Sequence, residues 1–117
     1  MPIRIKRAYE EPSRSDGLRV LVDRLWPRGL KKEDAAIDQW RKELAPSDGL
    51  RRWFGHDPER WQEFRRRYLV ELENHEDELV ELAGEARNAR VTLVFGARDA
   101  ERNNAVVLRE RLEELMD

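Results

Sequence analysis

Two apolar runs constrain this chain more than any other feature. Residues 19–23 read RVLVD and residues 90–96 read RVTLVFG. Neither alternates apolar with polar residues, as a strand with one wet face would. A continuous β-branched run belongs to a strand buried on both faces. Such strands sit in parallel sheets with a layer above and below, and parallel neighbours need a long crossover between them.

The residues between the runs have the helical period such a crossover requires. Trp61, Phe64, Tyr68 and Leu72 form one face, behind an Asp57-Pro58 start signal. Leu79, Leu82 and Ala86 continue an apolar face, with Asn74 and Asp77 marking a restart or kink. Ile37, Trp40 and Leu44 stand at i, i+3 and i+7, which predicts a further helix ended by Pro46. Ser47 then caps a short helix carrying Leu50, Trp53 and Phe54. Near the N-terminus Ile3 and Ile5 alternate with Arg4 and Lys6, a strand of period two. Ala105, Leu108, Leu112 and Leu115 stripe the last helix. The expected fold is α/β: residues 1–117 as a single small three-layer domain with a short, mostly parallel sheet flanked by helices. Three strands make a thin sheet, so a short extra strand or a homodimer is expected to cover its edges.

Composition narrows the function classes. There is no cysteine, which removes disulfides, thiolate metal sites and cysteine nucleophiles and fits a reducing compartment. The N-terminal residues have no apolar leader pattern and no run reaches membrane-spanning length, so the chain reads as cytoplasmic without a membrane partner. Net charge is −2, but residues 1–32 hold nine Lys or Arg against four acids, and residues 71–85 hold seven acids and no Lys or Arg. The first segment attracts anions and the second repels them. General nucleic-acid affinity gets no support from the total. The Arg65-Arg66-Arg67 run points in three directions on a helix, with Glu59, Glu63 and Glu71 in pairing range.

In an open parallel sheet, ligands bind beyond the carboxyl ends of the strands. Two segments leave the sheet there: Asp23-Arg24-Leu25-Trp26-Pro27-Arg28-Gly29, and Gly96-Ala97-Arg98-Asp99 leading to Asn103 and Asn104. Asp23 and Asp99 are the candidate catalytic carboxylates; Arg24, Arg28 and Arg98 are candidate anion holders; Trp26 is a candidate ring platform; Asn103 and Asn104 are candidate polar contacts. A carboxylate among arginines is expected to stay ionised. His56 is the third candidate catalytic group, because an imidazole titrates near neutral pH. Each residue also has a plain structural reading. Asp23 pairs with Arg28 or caps a turn, Trp26-Pro27 staples the sheet edge, Asp99 caps the last helix, and His56 is a solvated loop residue. Adjacent asparagines suit a helix interior poorly, so they favour a function or a late helix start. No glycine-rich phosphate loop, nucleophile elbow or metalloprotease motif is present, no metal site is indicated, and the residues name no cofactor.

The segments RVLVDRLWPRGL, WFGHDPERWQEFRRRY and VTLVFGARDAERNNAVVL resemble YeaO-like proteins, the short branch of the domain-of-unknown-function family 488. The resemblance covers nearly the whole chain. It implies a small bacterial or archaeal cytosolic protein of Rossmann-like layering, and no established reaction. YeaO-like sequences commonly read His-Asn where this chain has Arg102-Asn103, and Ala-Lys-Asp where it has Ala97-Arg98-Asp99. The second change keeps the charge; the first removes an acid/base group. The expected function is binding, or binding with transformation, of an anionic small metabolite bearing phosphate or carboxylate, at the C-terminal edge of the sheet. The alternative is a nucleic-acid-binding or regulatory module.

Overall fold

The two apolar runs become neighbours. In the computed structural model, which describes residues 3–116, Leu18–Leu21 (β2) and Val91–Phe95 (β4) pair in parallel, Leu18 opposite Val91 and Leu21 opposite Val94. Ile3–Arg7 (β1) lies parallel on the other side of β4, and Gln39–Trp40 (β3) lies parallel beside β2. The order is β1-β4-β2-β3. All five residues of β4 are buried, as a run without alternation requires.

The two faces are covered differently. One carries Val20, Val22, Leu93 and Phe95 beneath Asp48–Phe54 (α2), Trp61–Leu72 (α3), Glu76–Asn88 (α4) and Asn104–Met116 (α5). The helix faces expected from the sequence supply this layer: Phe64, Tyr68 and Leu72 of α3, Leu79, Leu82 and Ala86 of α4, Leu108 and Leu112 of α5. The other face carries Ala8, Leu21 and Val94, under Trp26, Leu30, Ile37 and Trp40. Among the described residues its one α-helix is the four-residue Lys32–Ala35 (α1), so most of that layer is the irregular chain joining β2 to β3.

The helix expected from Ile37, Trp40 and Leu44 does not form. Residues 39–40 are β3 and residues 42–44 a single 3-10 turn. Ile37 and Trp40 pack on one face of the sheet while Leu44 joins the core on the other. The stripe is split by the sheet it crosses, and β3 is the extra strand that caps the β2 edge.

The loop-covered face is held by charge. Arg19 and Asp16 are 3% and 2% exposed. An Arg19 guanidinium nitrogen donates to Asp16 Oδ2 at 2.7 Å, and its Nε and other terminal nitrogen donate to the Ala35 carbonyl at 3.1 and 2.8 Å. Lys6 Nζ donates to Asp16 Oδ1 at 3.1 Å, and the Thr92 hydroxyl donates to the Asp16 carbonyl at 2.7 Å. Every partner is satisfied, so the buried charges are tolerated.

Removing one partner leaves the other charge stranded. Asp16→Ala is expected to lower the unfolding free energy in urea by about 3–5 kcal/mol; a loss below about 1 kcal/mol would show the network to be dispensable. Next to it, Gly17 has φ +64°, and a Cβ there would fall 2.3 Å from the Arg90 carbonyl oxygen. Gly17→Ala is expected to cost well over about 1 kcal/mol in the same measurement.

Candidate functional site

Since β2 and β4 run parallel, they end at the same edge of the sheet, and the chain leaves it at Val22-Asp23 and at Gly96. Asp23 joins these exits. Its Oδ2 accepts the Gly96 N–H at 2.9 Å, and its Oδ1 accepts Asn104 Nδ2 at 3.0 Å. Asn104 Nδ2 also donates to the Val22 carbonyl at 2.9 Å. One carboxyl thus ties the ends of two strands to the first residue of α5.

The Asp23–Arg28 pair expected from the sequence is not made. The expected field of arginines does not set its titration. Burial pushes its carboxyl above the ordinary 3.8, and the bonds from Asn104 and Gly96 and the charges of His56 and Arg51 offset this only in part. The neighbouring arginines are occupied or turned away. Arg24 donates to the carbonyls of Pro46 and Ala45 at 3.1 and 3.4 Å, clamping the entry to α2. Arg28 is exposed and makes no ion pair among the described residues; its carbonyl accepts the Tyr9 hydroxyl at 2.9 Å. Trp26 donates its indole N–H to Leu30 at 2.6 Å and meets Trp40 edge-on at 5.5 Å, so its ring is fixed.

The second exit is a built turn. Asp99 Oδ1 accepts the N–H groups of Glu101 and Arg102 at 2.9 and 3.0 Å. These N–H groups, with the Arg102 side chain, hold its carboxyl below the ordinary carboxylate value. Asp99 is a turn cap rather than the cap of the last helix. That role falls to Asn103, whose Oδ1 accepts the Val106 N–H at 3.0 Å. The paired asparagines mark a late helix start. Arg98 is exposed, with no ion pair among the described residues. His56 follows Gly55 and has φ +58°, in the left-handed region that few non-glycine residues occupy. Its ring stands 6.0 Å from Phe54.

These residues surround two adjoining hollows. The deeper is a cleft of about 370 Å³ that brings together Asp23, Arg24, Trp26, Arg28, His56, Asn103 and Asn104, but not Arg98 or Asp99. Those two lie in a shallower basin with Arg7, and the hollows share Tyr9, Arg28, His56, Gly96 and Ala97. Sequence reasoning missed Arg51, Arg52, Phe54 and Phe64 on the deep cleft, and Arg7 and Tyr9 at the rim. The rim residues follow once β1 is read as parallel to β4, since Tyr9 then leaves at the same edge. Arg51 and Arg52 carry no local signal beyond their helix, which opens onto the Gly55-His56 turn.

The arginine run on α3 is consumed elsewhere. Arg66 and Arg67 both pair with Glu63, at 2.6 and 2.7 Å, and Arg65 pairs with Glu110. Glu71, also within expected reach, instead accepts from Ser47 at the start of α2. Among the described residues no helix is long and apolar enough to cross a membrane.

Comparison with known proteins adds identity. Residues 2–117 match the model of a family described as "Inactive DUF488-N3 subclade". The chain is 45% identical over 115 residues to "Uncharacterized protein YeaO" of Escherichia coli (strain K12), covering 98% of this chain and 100% of that one. It is 43% identical over 110 residues to "Uncharacterized protein Rv3073c" of Mycobacterium tuberculosis (strain ATCC 25618 / H37Rv), covering 94% and 92%. No solved structure matches the chain. Matched along nearly its full length, the chain belongs to the YeaO-like domain-of-unknown-function 488 family.

Proposed function

We propose that this protein binds an anionic small metabolite, one bearing phosphate or carboxylate, at the carboxyl edge of its sheet. The observation that carries the reading is a pair of joined hollows at that edge, rimmed by the guanidiniums of Arg28 and Arg98, neither of them ion-paired among the described residues. Arginine without a carboxylate partner is well suited to phosphate or carboxylate, which it grips in two places. Binding without turnover is the better-supported form of this role. Asp99 spends its oxygens on its own turn, Asp23 serves as the tie between two strand ends, and the subclade's description as inactive agrees. The missing cysteines fit a cytoplasmic setting. The nucleic-acid alternative draws no support from the α3 arginines, which are paired with glutamates.

Pyrophosphate is the simplest probe. It is expected to raise the melting temperature of the parent and to do so less as salt rises. Arg28→Ala and Arg98→Ala are each expected to weaken its binding by about 1.5–3 kcal/mol. A stabilisation unchanged in the double variant would put the anion elsewhere.

Asp23 gives a pH signature. The folded state holds its proton more tightly than the unfolded chain does, so the sign is opposite to that of a salt-bridged acid. The contribution of Asp23 to stability is full below the ordinary carboxyl value of 3.8 and falls as pH rises from there through the raised native value. Carboxyl-detected NMR titration is expected to find Asp23 titrating above that value; a midpoint at or below it would remove the burial argument.

A further inference from the structure

We infer that the ligand has two parts: a flat heteroaromatic ring with both a hydrogen-bond donor and an acceptor, seated in the deep cleft, and a phosphate or carboxylate tail in the basin. The class that fits is a nucleoside monophosphate. This deepens the anion-binding reading above and rests on it.

The two hollows differ in chemistry. The basin offers Arg7, Arg28 and Arg98 against one carboxylate, Asp99, which its own turn has already engaged. The deep cleft has aromatic and apolar walls, with Trp26, Pro27 and Leu25 contributed by one segment and Phe54 and Phe64 by another. The two phenylalanine rings stack at 4.3 Å, a preformed apolar surface. Among the described residues Asp23 is the one acid lining this cleft. An anion placed against a buried carboxyl is repelled, so the tail belongs in the basin and the group beside Asp23 must donate. Each Asp23 oxygen has one protein donor, which leaves lone pairs for a ligand N–H or O–H.

Arg51 supplies the complementary demand. It lines the same cleft, and its Nε is buried with no hydrogen-bond partner. A buried donor without an acceptor is costly and uncommon. A ring presenting an acceptor satisfies Arg51 while its donor satisfies Asp23, and the shared rim at Tyr9, Arg28 and His56 lets one molecule span both hollows. Leu25 and Tyr9, 57% and 44% exposed, stand at the mouth as apolar surface for a ligand to cover.

Calorimetric titration of the full chain with AMP, UMP, adenosine, uridine and ribose 5-phosphate tests this. At least one monophosphate is expected to bind about tenfold or more tighter than both its nucleoside and ribose 5-phosphate. Asp23→Asn and Arg51→Met are expected to remove that advantage and leave ribose 5-phosphate binding unchanged. Arg51→Met carries the test if Asp23→Asn fails to fold, because the Arg51 Nε has no bond to lose and the side chain gives up only an exposed ion pair to Asp48 at 3.4 Å. If ribose 5-phosphate binds as tightly as the monophosphates, the ring half is overturned and the anion reading stands. If the nucleosides match their monophosphates and ribose 5-phosphate is silent, or if nothing binds, both are overturned.

Discussion

A buried arginine decides how this sheet is covered. A parallel sheet needs a layer on each face, and this chain has long helices for one face only. The opposite face is closed by irregular chain, which buries little apolar surface per residue and leaves many backbone groups to satisfy. Arg19 answers both needs. It projects from a central strand, takes the Asp16 carboxylate on one side and the Ala35 carbonyl on the other, and so pins two separate stretches of loop to the sheet. Replacing such a network with well-matched apolar residues can cost nothing in stability. What apolar residues cannot do is specify which carbonyl and which turn dock where, and in a layer built from loop that specification is the fold.

At the opposite end of the same strands a second carboxyl is buried without a cation bound to it. Asp23 binds backbone and amide donors and has no guanidinium partner, so its burial is only partly compensated. The difference separates a carboxyl that builds from one that also has capacity left over. Asp16 is enclosed by cations; Asp23 opens on a cleft. Around it the arginines divide the same way. Arg24 is spent on the Ala45 and Pro46 carbonyls, while Arg28 and Arg98 stay at the surface. A site emerges here from what the scaffold has left unused.

Much of this was legible in the sequence, and the failures have physical causes. The runs at 19–23 and 90–96 announced β2 and β4 because burial on both faces leaves an unmistakable pattern. Cap signals at Ser47 and Asp57 were equally local and equally readable. The stripe of Ile37, Trp40 and Leu44 misled because periodicity records which residues are apolar, and not which side of a sheet receives them. The edge of the sheet that holds the candidate site followed from strand direction alone. Which side chains there are free did not. The plain reading of Asp23 had it pair with Arg28, five residues away, or cap a turn, yet its partners lie 73 and 81 residues on, where only the tertiary fold brings them. Arg51 is unremarkable in sequence, and its unsatisfied Nε exists only in the packed state.

β3 is two residues long, and its brevity has a consequence for solubility. A long flat outer strand exposes a row of donors and acceptors on which a neighbouring molecule can extend the sheet. Here β3 stops after Gln39 and Trp40, and Arg41 turns at once to pair with Glu81 and Glu85 while Lys42 lies over the Trp40 ring. The border is too short and too charged to template another strand. At this border a chain carrying two strands this apolar finishes its sheet without offering it to its neighbours during crowding or refolding, which leaves β1 as the one edge of the described sheet long enough to pair.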